Sequence, residues 1–298
     1  MTESRKPLET LRRDGLTGFS RKAAVYLSRR IGWRAESLSK QLDYTVAERA
    51  MMREAHALLA RNEVFRDCHK GRRAFIIGNG PSINTQDLSL LRDELTFVSN
   101  AFCKHPVLDV WQPDYYFLTD PIFFDGSEYA RDFFHELRGR IQSSTYFVPH
   151  TAAAVVTKDA LLKSDETFHV AMAGNLADDL SWTPDFTRVV PGVRTVVQLA
   201  MMAAMFMGCT EIYLLGMDHD WLSHAGAHTA FYQGAALANE STIDDWKYKD
   251  LMEAVLIMWR GYESIKRVAD AHNVRIINAT RGGFLDVFER AEYESVVQ

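Results

Sequence analysis

From about residue 70 onward, short apolar runs alternate with longer stretches whose apolar residues recur at helical spacing. The runs Ala74–Gly78, Thr96–Ser99, Tyr115–Thr119, Thr145–Val148, Phe168–Ala171, Glu211–Leu215 and Val274–Ile277 read as strands. Strands that alternate with helices predict an α/β, Rossmann-like fold, a mainly parallel sheet with helices on both faces. The clearest helix–strand pair is Thr195–Met207 followed by Glu211–Leu215, with Gly208, Cys209 and Thr210 between them. The Met and Ala residues of that helix predict burial against the sheet rather than a cofactor box. Residues 1–70 carry no strand pattern and read as a helical N-terminal extension, leaving 71–298 as the Rossmann-like main domain. Within the extension, Val46–Phe65 places Ala and Met at core-like positions, which predicts a helix covering the main domain.

The first strand runs into Gly78, Asn79, Gly80, Pro81 and Ser82. Glycine permits backbone geometries closed to other residues and close approach of a ligand, and Pro81 stops the strand. Ser82, Asn84 and Thr85 are candidate caps for a helix carrying Leu88, Leu91 and Leu95. A helix amino terminus at the carboxyl end of a parallel strand offers free N–H groups to an anion. A bare Gly-x-Gly is equally compatible with a tight turn that binds nothing.

Ligands of open α/β sheets sit outside the carboxyl ends of the strands, so polar residues there carry weight. Asn79, Asn100, Asp120 and Asp218 occupy such ends, and Asn278 begins the polar stretch after the last strand. Asparagine offers a donor and an acceptor, suiting a base or a sugar hydroxyl, whereas aspartate suits a ribose, a substrate or a metal. Capping and loop-tying are the competing roles. Asp218 heads a denser group with His219 and Asp220, and His224, His228 and Tyr232 follow. Their spacing is not that of helical metal ligands, so no metal site is expected there. His219 and His228 are the candidate acid–base groups, with Asp218 beside them, because imidazole titrates near neutral pH. Arg194 and Thr195 precede the Met-rich helix, where an arginine and helix N–H groups are able to meet a phosphate or carboxylate; a structural ion pair is the alternative.

Composition narrows the partners. The chain has 298 residues and a formal charge of −5, which gives no reason to expect nucleic-acid binding. Its three cysteines, Cys68, Cys103 and Cys209, are widely spaced, which argues against a disulfide framework and for a reducing cytoplasm. The longest strongly apolar segment, 196–207, is too short to span a bilayer. Residues 1–36 alternate basic and apolar side chains, a pattern suited to peripheral contact with an anionic membrane face, to packing on the same chain, or to a second subunit in a homo-oligomer.

Taken together, Ile77–Ser82, Asn100, Arg194 with Thr195, and Glu211–Asp218 resemble the bacterial sialyltransferases of glycosyltransferase family 42. Asn278–Gly283, the Gly216–His219 group and the helical lead-in look more like the related 6-hydroxymethylpterin diphosphokinase MptE-like family. The resemblance covers roughly residues 70–290. The sialyltransferase likeness implies a transferase with a nucleotide-sugar donor, CMP-linked, and a glycan or lipid-linked acceptor in surface polysaccharide biosynthesis, needing no cofactor. Asn79, Gly80, Ser82 and Asn100 would then hold the donor nucleotide, with Arg194, Thr195 and Asp218 across from them. The chain departs from that family after Asp218, where Asp220 and Trp221 follow and the histidines are placed differently, which bears on the sugar and the base. The diphosphokinase likeness implies instead ATP and Mg2+, with Asp120 and Asp218 holding the metal. Here Thr119 and Asp120 continue as Pro121 and Ile122, without that family's second acid. A binding or scaffold protein that keeps the fold without chemistry is a third reading.

Overall fold

The computed structural model describes residues 6–178, 180–223 and 247–297. Its centre is an eight-stranded sheet built from β1 (Arg73–Ile77), β2 (Leu95–Ser99), β3 (Tyr115–Phe117), β4 (Thr145–Pro149), β5 (Thr167–Val170), β8 (Glu211–Leu215), β9 (Arg275–Asn278) and β10 (Glu289–Arg290). Every neighbouring pair is parallel, and the spatial order is β10-β9-β8-β1-β2-β3-β4-β5. The chain therefore builds outward from β1 to β5, returns, and builds outward again from β8. The reversal between β1 and β8 is a topological switch point, where such sheets open a crevice at their carboxyl ends.

Two cores cover the sheet. On one face Ala74, Ile76, Phe97, Phe117, Leu214 and Ile276 pack under helices α1 (Lys6–Ala60), α4 (Val196–Phe206) and α5 (Tyr248–Ala271). On the other, Phe75, Ile77, Val98, Tyr116, Val148 and Leu215 pack under α2 (Glu128–Arg140), α3 (Ala153–Lys158) and several 3₁₀ turns. Alternating residues thus point to opposite faces, and both faces being covered is why the strands read as continuous apolar runs. In α4 every residue from Val197 to Phe206 is buried. Ala200, Ala203 and Ala204 let the helix lie close to the sheet, and it turns directly into β8.

α1 is one helix of 55 residues rather than two helical stretches, and 3₁₀ geometry takes over at Arg61–Phe65. Its second half belongs to the main core through Tyr44, Ala55 and Leu59, and the Tyr44 hydroxyl donates to Val189 O at 2.9 Å. β6 (Met172–Ala173) and β7 (Val190–Pro191) form a separate two-stranded parallel bridge, and α6 (Tyr293–Val296) closes the described chain. Among the described residues no helix is long and apolar enough to cross a membrane.

Candidate functional site

The expected α-helix after the glycine turn is absent. Pro81–Thr85 and Leu88–Leu91 are 3₁₀ turns, and Leu95 already opens β2. Leucines three apart suit 3₁₀ geometry as well as α, so the spacing alone did not distinguish them. The amino terminus at this turn is also occupied: Ser82 N–H donates to Asp218 Oδ1 at 3.1 Å, and Ser82 Oγ donates to Oδ2 at 2.7 Å.

That carboxylate explains the glycines. A Cβ on Gly80 would stand 1.9 Å from Asp218 Oδ2 and 2.6 Å from Gly216 O, and one on Gly78 would stand 2.8 Å from Gly216 O. Gly216, at φ +68°, would meet Gly78 O at 2.6 Å. The turn after β1 and the turn after β8 interlock, with Gly78 N–H donating to Leu215 O and Gly80 N–H to Gly216 O. The close approach read from the sequence as room for a ligand is thus room for the neighbouring chain. Gly283 approaches from β9, its Cβ position 2.6 Å from Asp218 O. Asp218 is nearly buried, and burial pushes its carboxyl above the ordinary value against the pull of the two Ser82 hydrogen bonds. Its position is that of a strut between the turns rather than of a free catalytic acid.

Beside this strut, the ends of β1 and β2 leave polar groups unmatched. Asn79 Nδ2 donates to Ser99 O at 3.2 Å, which orients the amide and leaves Asn79 Oδ1 without a partner among the described residues. Ser99 Oγ and Asn100 Oδ1 are likewise buried without a partner among the described residues. Asn100 adopts φ +50°, a left-handed conformation that costs a non-glycine residue free energy. It is held there by the Tyr116 hydroxyl, which donates to Asn100 O and accepts from Cys103 N–H at 2.9 Å. Buried polar atoms without partners are uncommon, and three at adjacent strand ends mark a place where donors from another molecule would be satisfied.

α4 enters from the carboxyl side of the sheet, since it runs antiparallel to the β8 that follows it. Thr195 caps it, accepting from Val197 N–H at 3.2 Å, while Gln198 Oε1 accepts from Arg194 N–H at 3.0 Å. Some of the helix-terminal N–H groups are therefore used internally, and the Arg194 side chain stands exposed. Tyr262 of α5, wholly buried, joins two predicted groups: its hydroxyl meets the Thr195 side chain and lies 2.7 Å from His219 Nε2. His219 sits at φ +48° with its ring 5.7 Å from Trp259, and burial pushes its pKa down to about 4. A neutral, weakly basic imidazole already bonded through Nε2 is poorly placed as the general base. His228, with His224 and Tyr232, lies outside the described residues.

The remaining candidates are committed locally. Asp120 accepts from Ile122 N–H at 3.1 Å as the cap of the Pro121–Phe124 turn. Asn278 spends its amide on Leu285 O at 2.9 Å and on Thr280 N–H at 3.0 Å. Asp120 follows β3 and Asp218 follows β8, with β1 and β2 between those two strands in the sheet. Among the described residues no group of three or more His, Cys, Asp or Glu forms a candidate metal site.

Sequence reasoning missed Ser99 and Tyr262. Ser99 was findable, because it is the last residue of a strand and immediately precedes Asn100. Tyr262 carried no signal, because its partners lie 43 and 67 residues away and are met only through packing.

No protein-family model matches the chain, and no curated protein matches it. Among solved structures it is similar to the Maf glycosyltransferase from Magnetospirillum magneticum AMB-1, with a TM-score of 0.47 and 15% identity over 80% of this chain and 39% of that one. It is similar also to the sialyltransferase CstII from Campylobacter jejuni in complex with cytidine-5'-monophosphate, with a TM-score of 0.45 and 14% identity over 74% of this chain and 85% of that one. The same enzyme in complex with CMP-3FNeuAc gives a TM-score of 0.45, with 86% of that chain covered. The chain thus spans well under half the length of the Maf protein.

Proposed function

We propose that the chain is a nucleotide-sugar-dependent glycosyltransferase, with a CMP-linked donor and a glycan or lipid-linked acceptor in surface glycan biosynthesis. The observation that supports this most is the set of unpartnered oxygens on Asn79, Ser99 and Asn100, at the carboxyl ends of β1 and β2 beside the switch point. A nucleotide's amino and hydroxyl groups supply the donors those oxygens lack. In this reading an acceptor hydroxyl attacks the anomeric carbon, the bond from that carbon to the nucleotide phosphate breaks, and the hydroxyl proton passes to a base. His219 is disfavoured as that base, so His228 is the candidate on sequence grounds. Arg194 would offset charge on the departing phosphate. The ATP-dependent diphosphokinase alternative finds less support, because Asp120 is engaged in capping the Pro121–Phe124 turn and Asp218 in holding Ser82.

Thermal-shift titration with CMP, CDP, UDP, GDP and ATP, each with and without magnesium, tests the reading. A CMP-selective shift independent of magnesium, lost in Asn79→Ala, is expected. A magnesium-dependent ATP shift would move the assignment to the diphosphokinase class. CMP binding unaffected by Asn79→Ala would remove the donor site from this crevice, and binding without turnover across a donor and acceptor panel would favour a scaffold.

A further inference from the structure

α1 has two distinct apolar faces. Tyr44, Ala55 and Leu59 belong to the buried one. The other carries Leu27, Ile31, Leu38, Leu42 and Val46, which are 54% to 67% exposed. At about 100° per residue these five and Ala35 fall within a single arc of about 100°, roughly 29 Å long. Leu27 and Leu38, Ile31 and Leu42, and Ala35 and Val46 are each related by the same eleven-residue step, a repeat that keeps an apolar stripe on one side of a long helix. No charged residue falls inside the arc between Leu27 and Val46.

We propose that this stripe is the seam of a homodimer, covered by the same stripe of a second copy of the chain. Five side chains exposed to this degree offer on the order of 500 Å² per chain, so a symmetric pair removes about 1,000 Å² in all, the size at which specific interfaces begin. One patch used by both subunits is also what a two-fold axis requires. Arg30 and Arg34 line one flank, whereas beyond the other Asp43 and Glu36 share the surface with Arg29 and Lys40, and Lys40 pairs with Glu36 at 3.2 Å. Tyr26 and Trp33, the residues suited to a membrane interface, lie on a different side of the helix, which favours a protein partner over lipid on the stripe.

Sedimentation velocity of the full chain, from low to high micromolar concentration, is expected to show a monomer–dimer equilibrium. Ile31→Asp combined with Leu38→Asp should shift it to monomer with an unchanged helical circular dichroism signal, because both side chains face solvent. Leu38→Gln alone should weaken the dimer in the same direction and serves where the double variant does not fold. A wild-type chain that stays monomeric over the whole range rules out the dimer whatever the variants do, as does a dimer that persists in a folded variant. Monomers that pellet with phosphatidylglycerol vesicles would rule it out in favour of a lipid surface.

Discussion

At the scale of single residues, neighbouring positions on the first turn have opposite duties. Gly80 has no room for a methyl group, since its Cβ would meet both the Asp218 carboxylate and the backbone oxygen of Gly216. Gly80→Ala should therefore destabilise the protein by about 1–3 kcal/mol, the usual cost of overpacking, seen as a lowered midpoint in urea. Asn79 makes one hydrogen bond and leaves one buried oxygen unmatched, so removing its amide gives up little in the folded state. Asn79→Ala should leave that midpoint nearly unchanged while weakening nucleotide binding. A large loss of stability in Asn79→Ala would show that the amide is a structural tie. Tyr262 stands between these extremes. Tyr262→Phe keeps the packing but removes the hydroxyl shared by Thr195 and His219, and should cost about 1–3 kcal/mol through the unpaired groups it leaves. Stability equal to wild type in that variant would show that the hydroxyl bond contributes nothing.

At the scale of elements, legibility followed length and regularity. The seven strands read from apolar runs all occur in the large sheet with boundaries shifted by at most a few residues. A strand buried on both faces is a contiguous apolar run, and that pattern is visible without tertiary information. β6, β7 and β10 have two residues each, too few for any period. The turn after β1 was misread because its cap comes from Asp218, a residue 136 positions away. The polar residues at strand ends were correctly placed at the carboxyl edge. Whether each faces outward or ties the loop was not legible, because Asn79 and Asn278 are the same residue type with opposite hydrogen-bond fates. α4 gives the element-level prediction. Thr195 and Gln198 form a capping box, so Thr195→Ala should cost about 1 kcal/mol by the cap alone, with more from the lost Tyr262 contact. Thermal denaturation of Thr195→Ala, Tyr262→Phe and the double variant checks the split. Additive losses would mean that Thr195 and Tyr262 act independently, whereas a double-variant loss smaller than the sum would show that they are coupled.

At the scale of the whole molecule, the histidines set the response to acid. His105 and His169 are buried and His219 is partly so, and burial pushes each pKa down to about 4. Nearby positive charge adds to the shift, from Arg140 at His105 and from Arg61 and His150 at His169, whereas Asp220 opposes it at His219. In the unfolded chain the same rings titrate near 6.5, so between about pH 6.5 and pH 4 the unfolded state binds more protons than the folded one. The stability contributed by these neutral rings is present above pH 6.5 and lost as the pH falls toward 4, at up to about 1.4 kcal/mol per pH unit for each ring. Asp218 works in the opposite sense, because its raised value lets the folded state take up a proton first as acid is added, which partly offsets the loss at the lower end. The melting temperature should therefore fall steadily from pH 6.5 to pH 4. His169 isolates one contribution, since both of its ring nitrogens are buried without a hydrogen-bond partner among the described residues and its imidazole has mainly packing to lose. His169→Leu should hold or raise the melting temperature at neutral pH, where two unsatisfied polar atoms are removed, and should flatten the fall below pH 6.5. A variant as steep as wild type would mean that His169 takes up its proton as readily in the folded protein as in the unfolded chain, leaving His105 and His219 to account for the acid sensitivity.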